Sequence, residues 1–130
     1  MIEYTKEEII QNRLLWEESL ASGNYAKGQD ALRQGDEYCC LGLASELLSI
    51  GSEIIDVHQS KDGVYHYDYS CATAPHYVVD GLGLNNAVGA PNAGLNIKPL
   101  AYINDTSDTF KPVLEAIQTG NYYKDLNNEN

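Results

Sequence analysis

The chain has 130 residues and carries eight Lys and Arg against nineteen Asp and Glu, a formal charge of −11. That length fits one domain with one core. The charge excludes broad nucleic-acid binding, which depends on neutralising phosphates with cations, and it argues against docking on anionic lipid.

In chain order, Thr5 followed by Glu8 reads as a capping box opening a helix over about Lys6–Ser22, with Gly23 placed to end it. Ile9, Trp16 and Leu20 cluster on its wheel, with Ile10, Leu14 and Ala21 beside them. Arg13 and Glu17 fall inside this apolar arc, either as an i,i+4 pair at its edge or as a pocket lining. Residues 24–38 read as a Gly-rich polar loop. Cys39–Leu48 is apolar on almost every side and predicts a central buried helix ending at Gly51, its cysteines acting as small core residues.

Ile54–His58 and Val64–Tyr69 read as two strands joined at Asp62-Gly63, a hairpin turn dipeptide. Alternation puts Tyr65, Tyr67 and Tyr69 on one face and His66 and Asp68 on the other. A short helix starts near Pro75 and stops around Gly81–Leu84. Residues 85–98 read as a long loop. Pro99–Ile103 reads as one helical turn. Phe110, Val113, Leu114 and Ile117 mark a last helix closed by Gly120. The expectation is an α+β, helix-rich single domain over residues 1–120, with about four helices packed on one β-hairpin. Residues 121–130 form a polar, frayed tail in which Tyr122-Tyr123 can dock.

No apolar run is long enough to span a membrane, and the start shows no basic-then-apolar leader. The odd cysteine count, Cys39, Cys40 and Cys71, points with this to reduced thiols and a cytoplasmic protein.

Several pieces form a recognisable set: Trp16, Ser22-Gly23-Asn24-Tyr25, Lys27-Gly28-Gln29, Leu32-Arg33 and Tyr38-Cys39-Cys40-Leu41-Gly42-Leu43. Pro75–Val78, Leu82-Gly83-Leu84 and Ile103-Asn104-Asp105 extend it. Together they resemble a family of short, mostly uncharacterised proteins of phage and prophage genomes. The resemblance implies a phage setting, with the host cytoplasm as location, and carries no catalytic residues. Ala44-Ser45 stand where that family often has a further cysteine, which weakens any metal reading.

The residue types are compatible with three chemistries. His58, His66 and His76 with Asp56, Asp68 and Asp80 can supply metal ligands, but histidines of this kind are ordinarily surface residues. Cys71 near His66 or His76 matches no thiol-enzyme pattern. The expectation is therefore no catalytic residue, no metal and no cofactor. The third chemistry is anion and aromatic binding. Tyr25, Lys27, Gln29 and Arg33 lie in the Gly-rich segment, Arg13 is nearby in sequence, and Tyr65, Tyr67 and Tyr69 form a stripe on which a base can stack. These eight residues are the candidate ligand-binding set. The function expected is a phage-encoded homo-oligomer that sequesters a small nucleotide-type immune signal. Two alternatives stay open: a small phosphodiesterase-like hydrolase of such a nucleotide, with a histidine as acid or base, and an acidic inhibitor that binds a host protein.

Overall fold

The capping box forms as the sequence dictates. In the computed structural model, which describes residues 2–128, the Thr5 hydroxyl accepts from the Glu8 N–H at 3.1 Å and the Thr5 N–H donates to Glu8 Oε1 at 2.9 Å. Helix α1, Lys6–Ala21, follows, and Gly23 leaves it at φ +76°. Its inner face is Ile9, Trp16 and Leu20; Ile10, Leu14 and Ala21 are exposed.

The segment expected to be loop carries three two-residue strands, β1 (Ala26–Lys27), β2 (Arg33–Gln34) and β3 (Glu37–Tyr38). They form a small sheet ordered β1-β3-β2, with β1 parallel and β2 antiparallel to β3. Helix α2, Cys40–Ser49, runs through the centre of the molecule, with Cys40 to Ser45 all buried. Its first turn is capped by side chains. Cys39 Sγ accepts from the Gly42 N–H at 3.2 Å, and Asn104 Oδ1 accepts from the Cys40 N–H at 3.0 Å.

The hairpin is present but shorter than alternation suggests: β4, Val57–Gln59, pairs antiparallel with β5, Tyr65–Tyr67, opposing His58 to His66. It is followed by α3 (His76–Leu82), α4 (Leu100–Asp105) and α5 (Lys111–Gln118), and the described chain ends in a 3₁₀ turn, Leu126–Asn128. Among the described residues the α-helix count is thus five, not about four, and a second small sheet joins the hairpin. The added helix is α4, where Pro99 sits at the N-cap and the turn of helix continues past Ile103 to Asp105.

These parts make one α+β domain. The core joins Trp16 of α1, Leu41 and Leu43 of α2, Val78 and Leu82 of α3, Leu100 of α4, and Val113 and Ile117 of α5. Trp16 is completely buried and its indole N–H donates to the Cys40 carbonyl at 2.9 Å, which locks α1 onto α2. Tyr122 enters the same core and its hydroxyl donates to the Lys98 carbonyl at 2.6 Å. Among the described residues no helix is long and apolar enough to cross a membrane.

Candidate functional site

The eight candidate residues fall in four places. Tyr25 immediately precedes β1, Lys27 is its second residue, and both line a cleft of about 440 Å³ between the end of α1 and the start of α5. Leu20, Phe110 and Leu114 give that cleft an apolar floor, and Asp108, Thr109 and Lys111 form its far wall. Its volume lies within the range of small-ligand pockets. Gln29 lies just beyond, exposed, in a polar groove of about 460 Å³ that shares Lys27 and Asp108 with the cleft.

Lys27 is held rather than free-swinging. Its ammonium donates to the carbonyls of Asn104 at 2.8 Å and Gly28 at 3.1 Å. An ammonium has three N–H donors, so one is left for another acceptor. The Tyr25 ring stands edge-on to Tyr38, with centroids 5.7 Å apart.

Arg33 lies behind Tyr38 and does not line the cleft. Its guanidinium covers the Tyr38 ring at 4.7 Å and the Tyr65 ring at 3.9 Å, and pairs with Glu46 of α2 at 3.3 Å. Tyr67 is fully buried and its hydroxyl donates to the same Glu46 oxygen at 2.9 Å. Burial pushes the Tyr67 hydroxyl well above its ordinary range. Arg33, Tyr65, Tyr67 and Glu46 therefore fasten the hairpin to α2 and the small sheet. Cation–π contacts of this kind contribute about 0.5–2 kcal/mol each.

Tyr69 leaves the stripe. The ladder ends at Tyr67, and Asp68 and Tyr69 turn the chain with φ of 49° and 66°. Tyr67 and Ser70 exchange both backbone bonds across this two-residue turn, at 2.8 and 3.0 Å. Tyr69 ends 79% exposed, with its ring 5.9 Å from His58.

Arg13 is in a fourth place. It donates to the carbonyls of Leu82 at 2.7 Å and Lys124 at 3.1 Å and lies over the Tyr123 ring at 4.1 Å, while Glu17 accepts from the Tyr123 hydroxyl at 2.9 Å. The Arg13–Glu17 pair thus grips the C-terminal segment, beside a cleft of about 620 Å³ that Lys6 and Lys124 also line.

Two residues that matter were not singled out from sequence. Lys111 lines the same cleft as Tyr25 and Lys27 from 86 and 84 positions further along the chain, a separation that no local pattern encodes. Asn104, completely buried, donates to the Gly28 carbonyl at 3.0 Å while capping α2, so it ties the cleft wall to the core helix. The signal for Asn104 was its place in the Ile103-Asn104-Asp105 cluster.

The two adjacent buried thiols, Cys39 and Cys40, are unsuited to nucleophilic work. Burial pushes Cys39 up to about 11 and holds Cys40 well above its ordinary value too. Among the described residues no three of His, Cys, Asp and Glu converge as a metal-holding group.

Fold and cleft together define a small α+β domain with an open, mixed polar and apolar surface cleft. The chain belongs to the family described as Domain of unknown function (DUF8296), whose model matches residues 6–121, a span running from the start of α1 past the end of α5. No curated protein and no solved structure matches the chain.

Proposed function

We propose that the protein binds a small nucleotide-type ligand in the Tyr25–Lys27–Lys111 cleft and holds it without cleaving it. The observation that carries this is the meeting of Lys27 and Lys111 beside an aromatic ring, two of only eight cations in a chain of charge −11. Tyr25 offers a face for a base, the lysines offer charge for phosphate, and Asp108 offers the acceptor that a ribose hydroxyl wants. Among the described residues the cleft lining contains no histidine or cysteine, which favours holding over hydrolysis. On this reading the resemblance to phage and prophage proteins implies a sequestrant of a nucleotide immune signal, acting in the host cytoplasm. A homo-oligomer is part of the proposal, and light scattering on the purified protein reads it directly.

The test is a thermal-shift screen against cyclic nucleotides and ADP-ribose-type compounds, since a ligand that binds only the folded state raises the melting midpoint. The expected result is a rise with one compound, recovered intact after heating. Tyr25→Ala is expected to weaken binding roughly 5- to 150-fold, the equivalent of about 1–3 kcal/mol of lost stacking. Lys111→Ala should weaken it as well. A ligand that binds both variants like the wild type, or is lost only with Tyr69→Ala, removes the cleft from consideration. Turnover of the compound with time favours the hydrolase.

A further inference from the structure

In sequence His58 and His66 are two separate surface histidines; the hairpin register makes them one feature. They are direct cross-strand partners, and their rings lie parallel within 3° with centroids 4.8 Å apart. His58 Nδ1 is 2.8 Å from Asp56 Oδ2. That contact assigns the Nδ1 proton to the carboxylate bond and leaves the Nε2 lone pair of His58 available. Asp56 is itself fixed. Its N–H donates to Asp68 Oδ1 at 2.9 Å, and its carbonyl accepts from the Asp68 N–H at 2.7 Å.

We propose that His58 and His66 form a two-imidazole chelate for a divalent transition metal of borderline softness, Zn²⁺, Ni²⁺ or Cu²⁺, with Asp56 as the positioning carboxylate. Three features point the same way. Neutral imidazole nitrogens select this class of ion over Mg²⁺ and Ca²⁺, which require oxygen ligands. Two metal–nitrogen bonds of about 2.0–2.1 Å at a tetrahedral angle hold their nitrogens about 3.3 Å apart. To share one ion the two rings must tilt out of their parallel stack so that their in-plane lone pairs converge; both residues project from the same face of a paired ladder, and the His58 side chain is about half exposed, which leaves it free to turn. Finally, a carboxylate bonded to the far nitrogen of a ligating histidine raises its basicity and fixes its orientation. Asp56 stands in that relation to His58. Water fills the remaining coordination positions, so the site is open. It lies on the hairpin, and its residues are not among those lining the Tyr25 cleft.

The test uses the whole chain, stripped with chelator and titrated with ZnCl₂ or NiCl₂ by calorimetry and by thermal shift. One ion per chain and a raised melting midpoint are expected, with no response to MgCl₂. His58→Ala and His66→Ala should each abolish the response while leaving the circular dichroism spectrum unchanged. Asp56→Asn should weaken binding by at least roughly 10-fold, as loss of a carboxylate behind a ligating histidine does. Cys71→Ser should change nothing. Binding that survives His66→Ala, binding lost in Cys71→Ser, or no heat with either metal overturns the proposal.

Discussion

Replacing Gly42 with Ala should damage the fold more than its small volume suggests. A Cβ at Gly42 would stand 1.5 Å from the Leu32 carbonyl oxygen, 2.2 Å from its carbon and 2.8 Å from Leu32 Cα. All three are backbone atoms, so no side chain can swing aside. Leu32 is also pinned: its carbonyl accepts from the Cys39 N–H at 3.0 Å, and its own N–H donates to the Cys71 carbonyl at 2.7 Å. Relieving the clash means moving that carbonyl away and stranding a buried backbone group, a cost of about 1–3 kcal/mol. Overpacking adds about 1–3 kcal/mol. The better helix propensity of Ala offsets only about 0.5–1 kcal/mol. The net expectation is a loss of about 1–5 kcal/mol, centred at about 3, a large share of the roughly 5–15 kcal/mol that holds a domain together. Urea unfolding followed by the fluorescence of Trp16, the sole tryptophan and completely buried, measures it. Gly81→Ala is the control. Its Cβ would meet Leu48 Cδ2 at 2.6 Å and Tyr4 Cζ at 3.1 Å, which are side-chain ends that can shift. It should lose no more than about 1 kcal/mol. If Gly42→Ala unfolds within about 1 kcal/mol of the wild type, the close approach of α2 to Leu32 is not what fixes glycine in the Cys-Cys-Leu-Gly element.

Two further outcomes follow from the same packing. Asn104→Ala leaves the Cys40 N–H buried without its acceptor and removes one of the two donors to the Gly28 carbonyl, so stability should fall by about 1–3 kcal/mol in the same urea assay, and an unchanged midpoint would contradict the cap. Alkaline stability should fall early. Cys39 is held at about 11 by burial against an ordinary value of 9.0, so its contribution is complete below about pH 9 and is lost as pH rises toward 11. Tyr67, Tyr77 and Tyr123, all raised from 10.0 with burial as the main cause, extend the loss upward. Melting midpoints measured from about pH 7.5 to about pH 11 should be flat and then drop, and a flat series throughout would contradict the burial of these groups.

What could be read from sequence was local. The Thr5–Glu8 box, the apolar run after Cys39 and the Asp62-Gly63 turn each specify structure within a few residues, and α1, α2 and the hairpin follow from them. The small sheet could not be read that way. Its strands are two residues long, too short to show a period, and β1 pairs in parallel with β3 across an intervening segment. The tyrosine stripe shows the same limit. Alternation holds from Tyr65 to Tyr67, whose rings lie 6.3 Å apart, but it fails at Tyr69 because Asp68 and Tyr69 adopt left-handed backbone. The cleft was half legible. Tyr25 and Lys27 are two residues apart, whereas Lys111 arrives from the other end of the fold.

The two walls of that cleft differ in how firmly they are anchored. On one side α5 sends Val113 and Ile117 into the core, so its displacement would require opening the whole domain. On the other, β1 is an outer strand paired over only two residues, held by the Gly28 N–H to the Tyr38 carbonyl at 2.7 Å, by the Lys27 ammonium and by the Asn104 amide on the Gly28 carbonyl at 3.0 Å. β1 itself buries no side chain whereas α5 buries two, so of the two walls it lies nearer the low-energy end of the protein's fluctuations. Whatever give the cleft has therefore lies on its Tyr25–Lys27 side, while the α5 side sets its fixed dimension.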